Sequence, residues 1–219
     1  MNLIHLCKTC VVALGLSGIA LVSSQGDDTP GAQVPSDYTG KPVTGSPQLI
    51  PGTIRAIDYD EVPNGAKGIT FSYQGDPRQT SFRKGPDSIG IAAFGQGHVS
   101  TTGQPEAADQ VYVGWTEPDE WLKYTVRVNE SGTYIIGGKV AAGSEGATLS
   151  FTFTPQLTTG ELKIPTTAGF QPGVEVYHVW EKLDHLAEIT LPAGTYVMTV
   201  KIGKIAGLNL ESFSFTKKG

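Results

Sequence analysis

The chain has 219 residues, 39% of them hydrophobic and 17% charged, enough to bury the core of one domain with extensions. Its 28 glycines and 14 prolines are spread between short runs of Thr, Val, Tyr and Phe, the composition of a turn-rich all-β protein. A formal charge of -5 with no lysine or arginine cluster leaves no broad surface for phosphate neutralisation and argues against a nucleic-acid partner.

Residues 1–24 have a polar start with Lys8, an apolar run from Cys10 to Val22, and then Ser23 and Ser24. This is the pattern of a secretory signal peptide, its apolar core being shorter than the roughly 20 residues of a bilayer span. The expected mature protein is therefore secreted, extracellular or periplasmic, with no membrane span after cleavage. Both cysteines, Cys7 and Cys10, fall in the segment removed, so no disulfide or thiol chemistry is expected of the remainder. Residues 25–49 have almost no apolar periodicity and are expected to form a flexible linker.

From residue 50 to 219 the pattern changes to period-two alternation. Leu122, Tyr124, Val126 and Val128 stand opposite Lys123, Thr125 and Arg127. Leu149, Phe151 and Phe153 alternate with Ser150, Thr152 and Thr154, and Tyr196, Met198, Val200 and Ile202 follow the turn LPAG. Such strands are half-buried, and the turns ESGT and PAGT each open one. With no helical period of similar length, the expected fold is all-β, an antiparallel β-sandwich of two packed sheets.

The block VYVGWTEPDEWLKYTVRV, Val111 to Val128, followed by NESGTYIIGGKVAA, resembles the family 6 carbohydrate-binding modules. PGTIRAIDYD, GITFSY, SFR, YHVW, LPAGTY and LNLESFSF fit the same frame in order, so the resemblance spans Pro51 to Phe215. It implies a jelly-roll sandwich, a galactose-binding-like lectin domain, with its main sugar site in loops at one end. There two aromatic rings stack on the apolar face of a pyranose, and an asparagine amide donates to and accepts from its hydroxyls. Mapped onto this chain, the first ring is Phe71, with Tyr73 able to substitute, and the second is Tyr177, with Phe170 as its competitor. Trp180 takes a mainly structural place, and the asparagine is Asn209. Glu120 faces either the cleft or solvent, and Trp115 and Trp121 are expected in the core.

At the start of the domain, relatives commonly carry E-A-E-D-Y, whose glutamates help hold a structural calcium. This chain has Arg55, Ala56, Ile57, Asp58 and Tyr59, which removes most of the hard oxygen donors, so no metal and no cofactor is expected. An ion pair between Arg55 and Glu211 is expected in its place.

The partner this implies is a polysaccharide or oligosaccharide, held without cleavage, with a separately encoded glycoside hydrolase as a further candidate partner. A glycosidase would need two carboxylates facing across a cleft, about 5 to 10 Å apart. Asp109, Glu117, Asp119 and Glu120 are close in sequence but lie in a block better explained as scaffold, and His98, His178 and His185 have no metal-binding spacing. The remaining alternative is an exported structural or adhesion sandwich that has lost sugar binding.

Overall fold

The computed structural model describes residues 34–62, 67–73, 111–154, 156–167, 179–205 and 207–219, together with the backbone of 91–93. The expected signal peptide lies outside these, as do Phe170 and Tyr177.

Two sheets face one another, as the alternation predicts. The first is centred on β6 (Trp121–Val128), β12 (Gly194–Ile202) and β8 (Thr148–Phe153), paired antiparallel in that order, with β10 (Leu162–Lys163) at one edge. At the other edge β6 takes β1 (Gln48–Ile50) in parallel and β3 (Phe71–Ser72) antiparallel, and β9 (Leu157–Thr158) folds onto β8. The second sheet runs from β11 (Glu181–Leu191) through β7 (Gly132–Ala142), β13 (Leu208–Lys217) and β5 (Val111–Val113) to β4 (Ile91–Ala93). Its β13 also pairs with β2 (Gly52–Arg55).

The inward residues of both sheets meet in one core. Leu122, Tyr124, Val126, Leu149, Phe151, Phe153, Met198 and Val200 are all at most 1% exposed, as the period-two reading requires. From the opposite sheet Phe213 sets its ring edge-to-face against Phe151 and Tyr124, with centroids 5.3 and 6.1 Å apart.

The repeated GTY motif has a local reason. Each tyrosine buries its ring in the core and turns its hydroxyl back to brace the turn that opens its own strand. Tyr134 donates to the Glu130 carbonyl at 2.5 Å and Tyr196 to the Pro192 carbonyl at 2.8 Å. A buried phenol must place its O–H, and a carbonyl four residues back is within reach. The two turns then join where the Ala193 N–H donates to Ser131 Oγ at 2.9 Å.

Part of the expected linker is built into the sandwich. Gln48–Ile50 is a strand, the backbones of Lys41 and Glu61 form an isolated antiparallel β-bridge, and the Tyr38 hydroxyl donates to Asp60 Oδ2 at 2.9 Å. Asp60 is fully buried and also accepts from the N–H (2.9 Å) and Oγ1 (2.6 Å) of Thr125. Burial, and then the Asp60 charge that the Tyr38 hydroxyl faces, push the phenol pKa far above its ordinary value. Polarity along residues 34–49 misled the linker reading, because a few anchors, Tyr38 and Ile50 above all, suffice to dock the segment. Tyr38→Phe is expected to cost about 1 to 3 kcal/mol, the worth of a hydrogen bond to a charged group, measured by urea unfolding.

A further expectation is corrected here. Arg55 and Glu211 form no ion pair. Arg55 is exposed opposite Ser212, while a register shift between Leu210 and Ser212 places Glu211 in a bulge, where its carboxylate accepts from Ser212 Oγ at 2.7 Å. The extra residue of a bulge breaks the alternation on which the expected juxtaposition rested. The calcium frame is likewise unsuited to a hard cation, since Ile57 is a buried apolar residue and Arg55 an exposed guanidinium. Among the described residues no group of three or more His, Cys, Asp and Glu could hold a metal ion.

Trp121 is not in the core. Tyr124, Val126 and Val128 face inward with Leu122, so Trp121 falls on the outer face of β6 and is half-buried, with the Lys123 ammonium 4.8 Å from its ring centroid. Trp121→Ala is therefore expected to cost only about 1 to 2 kcal/mol, from partial burial and the cation–π contact, rather than the larger penalty of a core ring. A thermal melt checks it.

Candidate functional site

The GWT tripeptide arranges one end of the sandwich. Thr116 is 1% exposed and staples the start of β13: its Oγ1 donates to the Leu208 carbonyl at 2.7 Å and accepts from the Leu208 N–H at 2.9 Å. The Gly207 N–H donates to the Thr116 carbonyl at 3.1 Å. This staple fixes the strand carrying Asn209 relative to the loop that follows β5.

Gly114 packs directly on that asparagine. A Cβ at this position would lie 3.1 Å from Asn209 Oδ1 and 2.9 Å from the Tyr112 ring, so glycine is what lets the loop approach. Trp115 comes next, 43% exposed and with φ 51°, a left-handed conformation that is an outlier for a bulky residue. The chain thus holds a large indole open to solvent one residue from the glycine that touches the amide. Beneath them Tyr112 and Trp180 pack edge-to-face at 5.0 Å, forming with Ala141 a small cluster on the outer face of the second sheet, apart from the main core.

The expected site residues fall in different places. Asn209 sits beside Gly114 and is 5% exposed. Phe71 is 1% exposed, edge-to-face with Tyr59 at 5.4 Å, and Tyr73 is 4% exposed; both belong to the main core rather than to an open stacking platform. The reason is visible in the pairing, because Phe71 lies opposite Leu122, an inward residue of β6. Glu120 is fully buried, and its Oε2 accepts from the Glu117 N–H at 3.0 Å, tying the 117–120 turn. The structure thus places Asn209 beside Gly114, the neighbour of Trp115, which was expected in the core, and buries Phe71, Tyr73 and Glu120. The one sequence signal for Trp115 was its place between a glycine and a threonine at a strand end, where an aromatic has no alternating neighbours to pack against.

Beyond the GWT turn, Asp119 takes φ 66° and bridges Lys204 (2.5 Å) and Lys201 (2.9 Å). Hydrogen bonds from Lys204 and then Lys201 hold its carboxyl below the usual range. A lowered folded-state pKa stabilises the fold above the ordinary carboxylate range, and this contribution is lost as pH falls through the lowered value.

The fold and this end of it define a two-sheet β-sandwich carrying an exposed aromatic in the loop after β5 and an amide at the start of β13. Solved structures similar to the chain include family 6 carbohydrate-binding modules. One is a module of lichenase 5A from Cellvibrio mixtus in complex with cellotriose, 21% identical, covering 77% of this chain and 98% of that one with a TM-score of 0.48. Another is the C-terminal module of a marine laminarinase from Zobellia galactanivorans, 18% identical, covering 76% and 98% with a TM-score of 0.48. A family 43 arabinoxylan arabinofuranohydrolase from Bacillus subtilis, in complex with cellotetraose, is 11% identical with a TM-score of 0.50, covering 79% of this chain and 28% of that one. At 11% identity the likeness to the last of these is one of fold alone. No family model and no curated protein matches the chain.

Proposed function

We propose that the protein binds a polysaccharide or oligosaccharide without cleaving it, through the loop end built by Gly114, Trp115 and Asn209. The observation that carries this is Trp115 itself: a solvent-open indole in a strained backbone conformation, one residue from a glycine in contact with a side-chain amide. Strain held at one position and a large exposed aromatic are both features of ligand sites, and a ring beside an amide suits the two faces of a pyranose. Tyr177, outside the described residues, is retained as the second ring. The printed ligands of similar structures, cellotriose and cellotetraose among them, are of this chemical class.

A hydrolytic reading finds little support in the same loop. A general acid needs a raised pKa, whereas the Asp119 carboxyl is held low by two lysines and Glu120 is occupied by the backbone of its own turn. One observation favours the structural or adhesion reading, namely that Asn209 is only 5% exposed. A glycan array decides between them: the sugar-binding reading expects a hit, with an affinity for oligosaccharides roughly in the micromolar to millimolar range. Silence across the array would favour the structural protein.

The apolar leader and the family's usual setting support export. Among the described residues no helix is long and apolar enough to cross a membrane.

A further inference from the structure

The turn that carries Trp115 is laced to the loop between β12 and β13 at two places. The Gly207 N–H donates to the Thr116 carbonyl at 3.1 Å and, three residues further along the turn, the Asp119 N–H donates to the Gly203 carbonyl at 3.1 Å. Both non-glycine residues with left-handed backbone among those described belong to this turn, Trp115 at φ 51° and Asp119 at φ 66°. Such a conformation at a bulky residue persists only where its surroundings over-determine it.

The Asp119 carboxylate makes the second tie a fork. Its Oδ1 lies 2.9 Å from the Lys201 ammonium and its Oδ2 2.5 Å from that of Lys204. The two lysines belong to different parts of the fold. Lys201 is in β12, which is held by ladders to β6 on one side and β8 on the other, whereas Lys204 is in the loop itself, which ends at Gly207 with φ 83°. One carboxylate therefore fastens the loop both to the sheet and to the turn of Trp115. Exposed ion pairs add little to the stability of a whole domain and are screened by salt. Their local effect is larger where the segment they hold has few apolar contacts of its own, because such segments open independently of the core. The loop leads directly into Leu208 and Asn209, so what it does is felt by the amide.

We propose that Asp119 is a positioning residue for the sugar site: by joining Lys204 to Lys201 it clamps the 203–207 loop against the Trp115 turn and holds the indole and Asn209 in one binding arrangement. The assignment rests on this loop end being the sugar site, and it makes affinity for an uncharged glycan sensitive to salt.

Calorimetry with cellotetraose, laminaritetraose and xylotetraose, alongside amide hydrogen exchange of residues 203–208, tests it. Asp119→Asn removes the charge, and asparagine tolerates the left-handed backbone, so it is expected to lower affinity at least about threefold with little change in melting temperature. Raising salt from about 0.05 to about 1 M is expected to weaken parent binding roughly twofold and to leave the variant unaffected. Lys204→Met is expected to act like Asp119→Asn, and the double variant to bind no more weakly than either single one. Exchange of the 203–208 amides should quicken at least about fivefold in Asp119→Asn, a readout that needs no glycan. Glu130→Gln, which removes the Lys217 pair beyond the far end of β6, is expected to leave binding unchanged. Should Asp119→Asn fail to fold, Lys204→Met carries the test. The proposal is overturned if a folded Asp119→Asn binds like the parent, if the two single effects simply add, or if the 203–208 amides exchange as before. A parent that binds none of the three probes and no glycan on the array instead sinks the sugar-binding reading, and the role of Asp119 in it falls too.

Discussion

Phe213→Ala is expected to destabilise the protein by about 3 to 5 kcal/mol, with a large fall in melting temperature. Phe213 is fully buried in β13 and reaches across the sandwich to Phe151 and Tyr124 of the opposite sheet. Its truncation removes transfer free energy, two edge-to-face contacts and the filling of the space between the sheets. That space cannot collapse easily, because the sheet on either side is pinned by its own hydrogen-bond ladder. Denaturant unfolding with an unchanged m-value is the measurement, and a loss below about 1 kcal/mol would show that the two sheets do not meet at this ring.

Asn209→Ala and Trp115→Ala are each expected to lower glycan affinity at least tenfold. Loss of a paired amide leaves ligand hydroxyls without a partner, and loss of a stacking ring removes most of the apolar contact area. Their stability effects should differ. Trp115 is exposed and its replacement should shift the melting temperature little, while Asn209 packs against Gly114 and its loss should be felt by both readouts. The informative result is Trp115→Ala: unchanged binding in a folded variant would remove the indole from the site and return weight to the structural reading. Gly114→Ala makes a useful companion, because its Cβ would press on the Asn209 amide and is expected to weaken binding without deleting any contacting group.

Much of the architecture was legible from the chain. Alternation in Leu122 to Val128, Leu149 to Phe153 and Tyr196 to Ile202 determined which face of each strand is buried, because a strand's side chains alternate by geometry and one sheet face must leave water. The family motifs likewise carried the two-sheet fold. The motif that placed Asn209 on the last strand was clean, and the structure puts that residue at β13 near one end of the sandwich.

What only the tertiary structure decided are the places where local pattern and global packing part. Trp115 and Trp121 are large apolar residues, and composition assigns such residues to the interior. A left-handed turn opens the first to solvent, and strand parity puts the second on the outer face of β6. Phe71 carries the opposite lesson, since an aromatic in a short segment can read as a loop ring until its pairing with Leu122 turns it inward. The bulge at Glu211 broke the register on which the Arg55 pair depended, and an extra residue in a strand leaves no mark in a hydrophobic pattern. Residues 34–41 were polar enough to read as a free linker, yet the buried Asp60 carboxylate needed a donor and Tyr38 supplied it from that segment. A sequence can state which residues seek burial or a partner; only the packed chain determines which partner each one reaches.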